Sequence, residues 1–368
     1  MIKQLEIENF RCFGQSTLSG FERVNLIGGQ NNSGKTAFLE ALYLNRVPCV
    51  QTVMALRGIS EEILVSFPEK VWNGLFLNPD NPLKIVSNDN KNGFRTLKLS
   101  QQIIPTSMMV EIDEVLVTHV IKKELTTADV SEFEHLLFSS ESLNLSILEI
   151  LLESNENSSC STIFSTKGMR KFAEPKLNLY PISFISATEK PSVKYLAEQY
   201  EKCFLQGYSE KIKTAFNIID LSIYEVRTLM SSEPTIYLSR KNQRPMSIAL
   251  FGDAMNRVAH FALELINNQA SILLVDEIEN GIHHSHQKQL WQWLFALAVE
   301  LDVQIFATTH SLEMLTAFKE AAMGTQYESE VAYFEFARHV KTQEIIAIKR
   351  EIDNLDYALE RNKEIRGE

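Results

Sequence analysis

Gly29-Gln30-Asn31-Asn32-Ser33-Gly34-Lys35-Thr36 follows the short apolar run Val24-Asn25-Leu26-Ile27 and leads into Ala37-Phe38-Leu39-Glu40-Ala41-Leu42-Tyr43-Leu44, whose apolar residues recur at helical spacing. The octet is a complete G-x-x-x-x-G-K-[ST] phosphate-binding loop, flanked as that motif requires by a strand before it and a helix after it. Each part has a physical role. The two glycines let the backbone wrap until successive N–H groups point at phosphate oxygens. Lys35 reaches the β- and γ-phosphates, and Thr36 offers its hydroxyl to Mg²⁺. The helix that starts there aims the positive end of its dipole at the same phosphates. At average composition a chance match in a chain this long has odds on the order of one per cent. The expected nucleotide contacts are therefore Gly29, Asn31, Asn32, Ser33, Gly34, Lys35, Thr36 and Ala37.

Farther along, Ser271-Ile272-Leu273-Leu274-Val275-Asp276-Glu277 is a fully apolar strand that ends in two acids. A buried parallel strand of this kind delivers both carboxylates to the carboxyl edge of the sheet, where ligands bind in open α/β folds. Asp276 is expected to hold Mg²⁺ through water, and Glu277 to polarise the attacking water. Val303-Gln304-Ile305-Phe306-Ala307 is another apolar strand, followed by Thr308-Thr309-His310-Ser311, where His310 can hydrogen-bond a γ-phosphate. The catalytic set is thus Glu277, His310 and Lys35, and the metal-holding set is Thr36 and Asp276. Ser247-Ile248-Ala249-Leu250-Phe251-Gly252-Asp253-Ala254 places a glycine at a helix start, where bare N–H groups can meet an anion. Many helices begin Gly-Asp, so that signal is weak by itself.

Walker A, a signature-like helix start, Asp-Glu at Walker B and a late histidine occur here in the order of the ABC ATPases. The chain resembles their soluble RecF, SMC and OLD group. Leu5-Glu6-Ile7-Glu8-Asn9-Phe10-Arg11-Cys12-Phe13 is similar to that group's opening strand, and the likeness makes Arg11 a nucleotide contact. Asp276-Glu277-Ile278-Glu279-Asn280-Gly281-Ile282-His283 resembles the matching stretch of stand-alone prokaryotic ATP-binding proteins of the AAA-15/AAA-21 type. The fold this implies is α/β, a P-loop NTPase with an ABC-type ATPase head. That head has a mixed sheet core and an N-terminal antiparallel β-subdomain, and it carries a central inserted arm. The resemblance also implies a homodimer or higher homo-oligomer in which two protomers sandwich two ATP molecules. The loop of one would then face Ser247, Gly252 and Asp253 of the other. Ala254 stands where such proteins commonly carry a second glycine, which implies a looser trans contact and slow hydrolysis.

The expected organisation is an N-terminal lobe over 1–99, an inserted arm or helical lobe over 100–178 and a C-terminal lobe over 179–368. Lys84-Ile85-Val86 and Thr96-Leu97-Lys98-Leu99 look like strands around a turn-rich stretch, 130–153 like one or two helices, and 154–161 like an exposed loop. Strands are expected at Tyr180–Ala187, Ile223–Val226, Thr235–Leu238, 330–336 and 344–349. Helices are expected at Val193–Leu205, Gly252–Ile266, His286–Leu301 and from Ser311, with a last one from Glu351. Trp291 and Trp293 belong on the apolar face of the third of these. His283, His284 and His286 point apart as neighbours on a helix and are expected to flank the site rather than bind metal.

Composition bounds the function. Among 368 residues 45% are hydrophobic and 23% charged, an ordinary globular balance. No run of 18 uncharged apolar residues is present, and the N-terminus lacks a signal-peptide apolar region, so a cytoplasmic protein without a membrane span is expected. Cys12, Cys49, Cys160 and Cys203 are scattered, which fits reduced thiols better than disulfides or a zinc site. The net charge is −11 with no run of five or more Lys/Arg, so direct nucleic-acid binding has no sequence signal, although a patch made only by folding stays open. Three functions are compatible with these residues: an ATP-driven switch that regulates a separate effector in prokaryotic anti-phage defence, a RecF-like DNA-repair clamp, and a slow-turnover ATP-binding scaffold. The stretch after His310 is too short for the nuclease domain of OLD proteins, so any nuclease is expected to be a separate chain. No [NT]-K-x-D motif favours guanine.

Overall fold

The structure is a computed structural model, and it describes residues 1–48, 52, 56, 74–90, 93–105, 144–154, 158–166, 169–173, 181–229, 233–267 and 272–355. In chain order the elements are β1 (Ile2–Phe10), β2 (Phe13–Ser19), β3 (Val24–Gly29), α1 (Lys35–Arg46), β4 (Leu83–Asp89), β5 (Gly93–Pro105), β6 (Asn144–Ser154), β7 (Ser158–Thr166), β8 (Met169–Ala173) and β9 (Ile182–Ile185). They continue with α2 (Val193–Leu205), α3 (Ser209–Ile219), β10 (Ile223–Leu229), β11 (Thr235–Arg240), β12 (Met246–Ser247), α4 (Asp253–Asn267), β13 (Ile272–Val275), α5 (His284–Glu300), β14 (Gln304–Thr308), α6 (Leu312–Ala322), β15 (Val331–Arg338) and β16 (Ile345–Arg350). Two compact units result. One comprises Met1, Ser19–Leu39 and Tyr180–Glu368, the other Ile2–Leu18 and Glu40–Leu179, so the division falls inside α1.

The first unit is built on a six-stranded sheet in the order β16-β15-β3-β14-β13-β9. β15, β3, β14, β13 and β9 run parallel and β16 closes one edge antiparallel, which makes the sheet mixed. A parallel strand covered on both faces needs an almost continuous apolar run, and Ile272–Val275 is buried at all four positions. Alternate side chains serve the two faces. Leu26, Leu273, Val275, Ile305, Ala307 and Tyr333 join a core that includes residues of α2 to α6. Phe306, Phe334 and Phe336 instead meet Phe21 and Phe38, with ring centroids 5.1–6.1 Å apart. Two buried amides close the far end of the sheet. Asn25 donates to the Glu22 carbonyl at 2.8 Å, and Gln304 donates to the same carbonyl at 2.9 Å. A small sheet in the order β10-β11-β12, antiparallel throughout, completes this unit.

The second unit holds a seven-stranded sheet in the order β2-β1-β4-β5-β6-β7-β8, with antiparallel pairing from β1 through β8. The end of α1 is fastened to it. Asn45 donates to the Ile85 carbonyl at 3.1 Å, Arg95 donates to the Asn45 carbonyl at 2.7 Å, and Arg46 pairs with Asp89 at 3.3 Å. β5 runs through residue 99. The helices expected over 130–153 are corrected for the part described: 144–153 lie in strand β6, and 130–143 lie outside the described residues. Leucines at 145, 148 and 152 fit a helical period, but a dense apolar run satisfies strand pairing equally well. The loop expected at 154–161 is corrected where described, because Ser154 ends β6 and Ser158 opens β7; residues 155–157 lie outside the described residues. The tail expected to be helical from Glu351 opens with a 3-10 turn at Ile352–Asn354 before a helical Leu355, and residues 356–368 lie outside the described residues.

A polar trio links α2 to α4. Tyr195 Oη donates to Glu264, and His260 Nε2 lies 3.9 Å from the same carboxylate while its Nδ1 has no hydrogen-bond partner. Burial pushes the His260 imidazole below its usual 6.5, against the pull of Glu264 and Glu189. The native state then binds fewer protons than the unfolded chain in the window between the lowered value and 6.5, so stability rises with pH across it. Thermal unfolding followed from neutral pH to below 6.5 should show a falling midpoint, and His260→Gln should flatten that slope.

Candidate functional site

β3 runs straight into the phosphate loop, and the loop's shape depends on its glycines. Gly29 sits at φ +142°, and a Cβ there would lie 2.2 Å from the Phe336 carbonyl oxygen on β15. Asn32 and Gly34 also take positive φ, +65° and +91°. Ser33 is buried and its Oγ has no hydrogen-bond partner, so the loop contains a polar atom aimed at nothing in the described protein. Lys35 Nζ donates to the Gly29 and Gln30 carbonyls, both at 2.7 Å. Burial lowers the Lys35 pKa, opposed by the charges of Asp276, Glu279 and Glu277. Arg338, at the end of β15, donates to the Asn32 carbonyl at 3.1 Å.

The acids sit beside this loop because β13 and β14 end level with β3, Val275 pairing Ala307 and Thr308 pairing Ile27. Thr36 Oγ1 donates to Asp276 at 3.0 Å (Oδ2) and 3.2 Å (Oδ1). Thr308 Oγ1 donates to Asp276 Oδ1 at 2.5 Å and accepts the Glu277 N–H at 2.8 Å. Glu277 is held at φ +47°, a left-handed backbone that a non-glycine residue adopts at some cost. Its Oε2 accepts from Asn280 Nδ2 at 2.9 Å. Arg257, buried in α4, donates to the Asp276 carbonyl and to the Ser186 carbonyl, both at 2.9 Å. His310 comes to the same edge: its Nδ1 lies 3.7 Å from Glu277 Oε1 and 3.0 Å from Glu279 Oε1.

Lys35, Thr36, Asp276, Glu277 and His310 are therefore brought together in one unit. The signature-like residues have other neighbours. Ser247 caps a 3-10 turn over Ile248–Phe251, accepting the Ala249 N–H at 3.4 Å. Gly252, at φ +84°, has open space where a Cβ would stand. Asp253 opens α4, lies 3.3 Å from Lys190 Nζ in an exposed pair, and faces Gly281. Arg11 belongs to the other unit, at a left-handed turn (φ +53°) between β1 and β2, and pairs there with Glu40. Ala37 is buried in the first turn of α1. His283 caps α5 and its ring lies 4.1 Å from that of His284. Among the described residues no group of three His, Cys, Asp or Glu side chains converges as a metal site.

Thr308, Glu279, Asn280, Arg257 and Arg338 are contributors that motif reading passed over. The first three lie inside quoted motif stretches, but only the turn after β13 shows what they hold, and Arg257 lies just beyond the quoted helix start. Arg338 carries no sequence signal, since it reaches the loop from 306 residues away. A backbone oxygen cannot yield to a Cβ as a side chain can, so Gly29→Ala is expected to lower the thermal unfolding midpoint. A variant melting like wild type would show that β15 gives way.

A family model described as "AAA domain, putative AbiEii toxin, Type IV TA system" matches residues 119–316, and a second, described as "AAA domain", matches residues 4–44. A Helicobacter pylori protein named "ATP/GTP phosphatase" is 24% identical across the full length of both chains. The "DNA replication and repair protein RecF" of Idiomarina loihiensis is 46% identical over 43 residues, 12% of each chain. Among solved structures, an SMC head bound to the C-terminal winged-helix domain of ScpA superposes with a TM-score of 0.54 at 11% identity, covering 97% of this chain and 99% of that one, a likeness of fold. No helix among the described residues is long and apolar enough to cross a membrane. With its first family model spanning more than half of its length, the chain belongs to that AAA family, and it shares the fold of an SMC head.

Proposed function

We propose that this chain hydrolyses ATP at a site completed by a second copy of itself, and that the resulting change of assembly regulates a separate effector in prokaryotic anti-phage defence. The observation that carries the hydrolytic part is the meeting of Lys35, Thr36, Asp276, Glu277 and His310 at one sheet edge. The site's chemistry fits its substrate. The unpartnered Ser33 Oγ, the loop N–H groups and Lys35 are donors for phosphate oxygens, and Lys35 would exchange two carbonyls for them. Thr36 and Asp276 present the hard oxygens that would hold Mg²⁺, which when bound neutralises phosphate charge. Glu277 accepts the proton of the attacking water, its carboxylate steadied by Asn280. His310 hydrogen-bonds the terminal phosphate.

The oligomeric part rests on exposure. Asp253 and Lys190 are largely solvent-facing, and Leu250 in the 3-10 turn before α4 is 73% exposed, an apolar side chain that would meet a partner's loop. The effector role draws on the resemblance to defence ATPases and on a family description that names a toxin of a toxin–antitoxin system. The H. pylori relative's name supports nucleoside triphosphate hydrolysis and makes GTP the control substrate. A RecF-type clamp draws on one 43-residue likeness and needs a basic face, which a net charge of −11 disfavours.

Steady-state turnover with ATP and GTP, paired with solution mass, tests the proposal. Glu277→Gln should reduce kcat by about 10²- to 10⁴-fold while ATP still binds and locks a dimer. Wild type that binds ATP with neither turnover nor a change of mass would leave only a nucleotide-binding scaffold. Thr308→Val keeps the shape but deletes the hydroxyl between Glu277 N–H and Asp276, and kcat should fall roughly 10- to 100-fold. Unchanged kcat in that variant would remove Thr308 from the machinery.

A further inference from the structure

The turn after β13 carries a second carboxylate that the hydrolytic reading does not use. The Glu279 side chain is 9% exposed, between Glu277 at 38% and His310 at 47%. Its Oε1 accepts the His310 backbone N–H at 2.8 Å and lies 3.0 Å from His310 Nδ1. Its Oε2 is buried with no hydrogen-bond partner. Leaving one oxygen of a buried carboxylate bare is costly, and the charges of Lys35 and Arg257 offset that cost only in part. What the contacts do achieve is to grip one residue, His310, at two points. Glu277 takes no part in that grip, since its Oε1 is 3.7 Å from the ring and its Oε2 is held by Asn280.

An ionised carboxylate can only accept, so a proton on Nδ1 would turn the 3.0 Å approach into a favourable contact and leave Nε2 as the nitrogen available to substrate. The frame around this contact is stitched further by the Glu277 N–H on Thr308 Oγ1 and the Ile278 N–H on the Thr308 carbonyl, at 2.8 and 3.0 Å. We propose that Glu279 is the positioning residue of His310: it fixes the ring through Nδ1–H and the backbone N–H, so that Nε2 is presented to the terminal phosphate. The proposal rests on His310 being a phosphate contact, and the test separates the two.

The first readout needs no activity. In ¹⁵N-labelled full-length protein, above the ordinary imidazole range of pH, wild-type His310 (identified by its loss in His310→Ala) should carry its proton on Nδ1. Glu279→Ala should move it to Nε2, and an Nε2–H signal already in wild type would overturn the proposal. The second readout is kinetic. Glu279→Ala should lower kcat about 10- to 100-fold with the ATP KM little changed. Glu279→Gln keeps an acceptor oxygen and should recover most of that loss. Glu279→Ala combined with His310→Ala should be no slower than His310→Ala alone. Additive losses, or full kcat in Glu279→Ala, would sink the positioning role. Should His310→Ala itself turn over normally, the phosphate contact falls, while the proton position still decides whether Glu279 holds the ring.

Discussion

Everything at this site depends on one carboxylate being shared. Asp276 accepts from Thr36 at the head of α1 and from Thr308 at the end of β14, and its carbonyl accepts from Arg257 in α4. Three elements are thereby referred to a single residue at the tip of β13. Such hydrogen bonds to a buried charge are stronger than those in water, and they are correspondingly costly to leave half made. The arrangement exists only because three parallel strands stop at the same level. A slip of one residue in the β13–β14 register would turn Thr308 to the other face and leave Asp276 without its partner.

That dependence explains which features could be read from the chain itself. A phosphate loop is a property of backbone, so glycine spacing and the flanking apolar runs announce it. A buried parallel strand is similarly conspicuous, since Ile272–Val275 has no polar position at all. Side-chain partnerships are different. Glu279 and Asn280 stand within three residues of Glu277, yet their roles are set by a turn in which Glu277 adopts φ +47°. β2 is hard to read because only Phe13 and Leu18 along it are buried, too sparse for an alternation. At 144–153 the composition is dense in leucine, and periodicity alone cannot choose strand over helix.

The polar groups of the first unit's core are sorted by function. Asn25 and Gln304 are fully satisfied and merely close the far end of the sheet. The Cys203 thiol is pushed up to about 12 by burial, which keeps it unreactive beside Asn267. Among the buried atoms left without a hydrogen-bond partner, Ser33 Oγ lies in the phosphate loop, Glu279 Oε2 in the turn beside His310 and Arg257 Nε behind Asp276, while His260 Nδ1 and Gln287 Oε1 lie elsewhere in the same unit. Part of the unmet hydrogen-bonding capacity thus stands where a charged substrate would be received.

Lys35 gives the loop a further character. Its ammonium bonds two carbonyls of the very loop it belongs to, so the loop carries an internal stand-in for an anion. A nucleotide arriving here does not fill a hole; it enters a competition. Only the excess of its charge over two carbonyl dipoles counts toward affinity, and that excess grows with each added phosphate. A self-occupied lysine therefore sets a cost that a more highly charged phosphate would offset more fully than a less charged one.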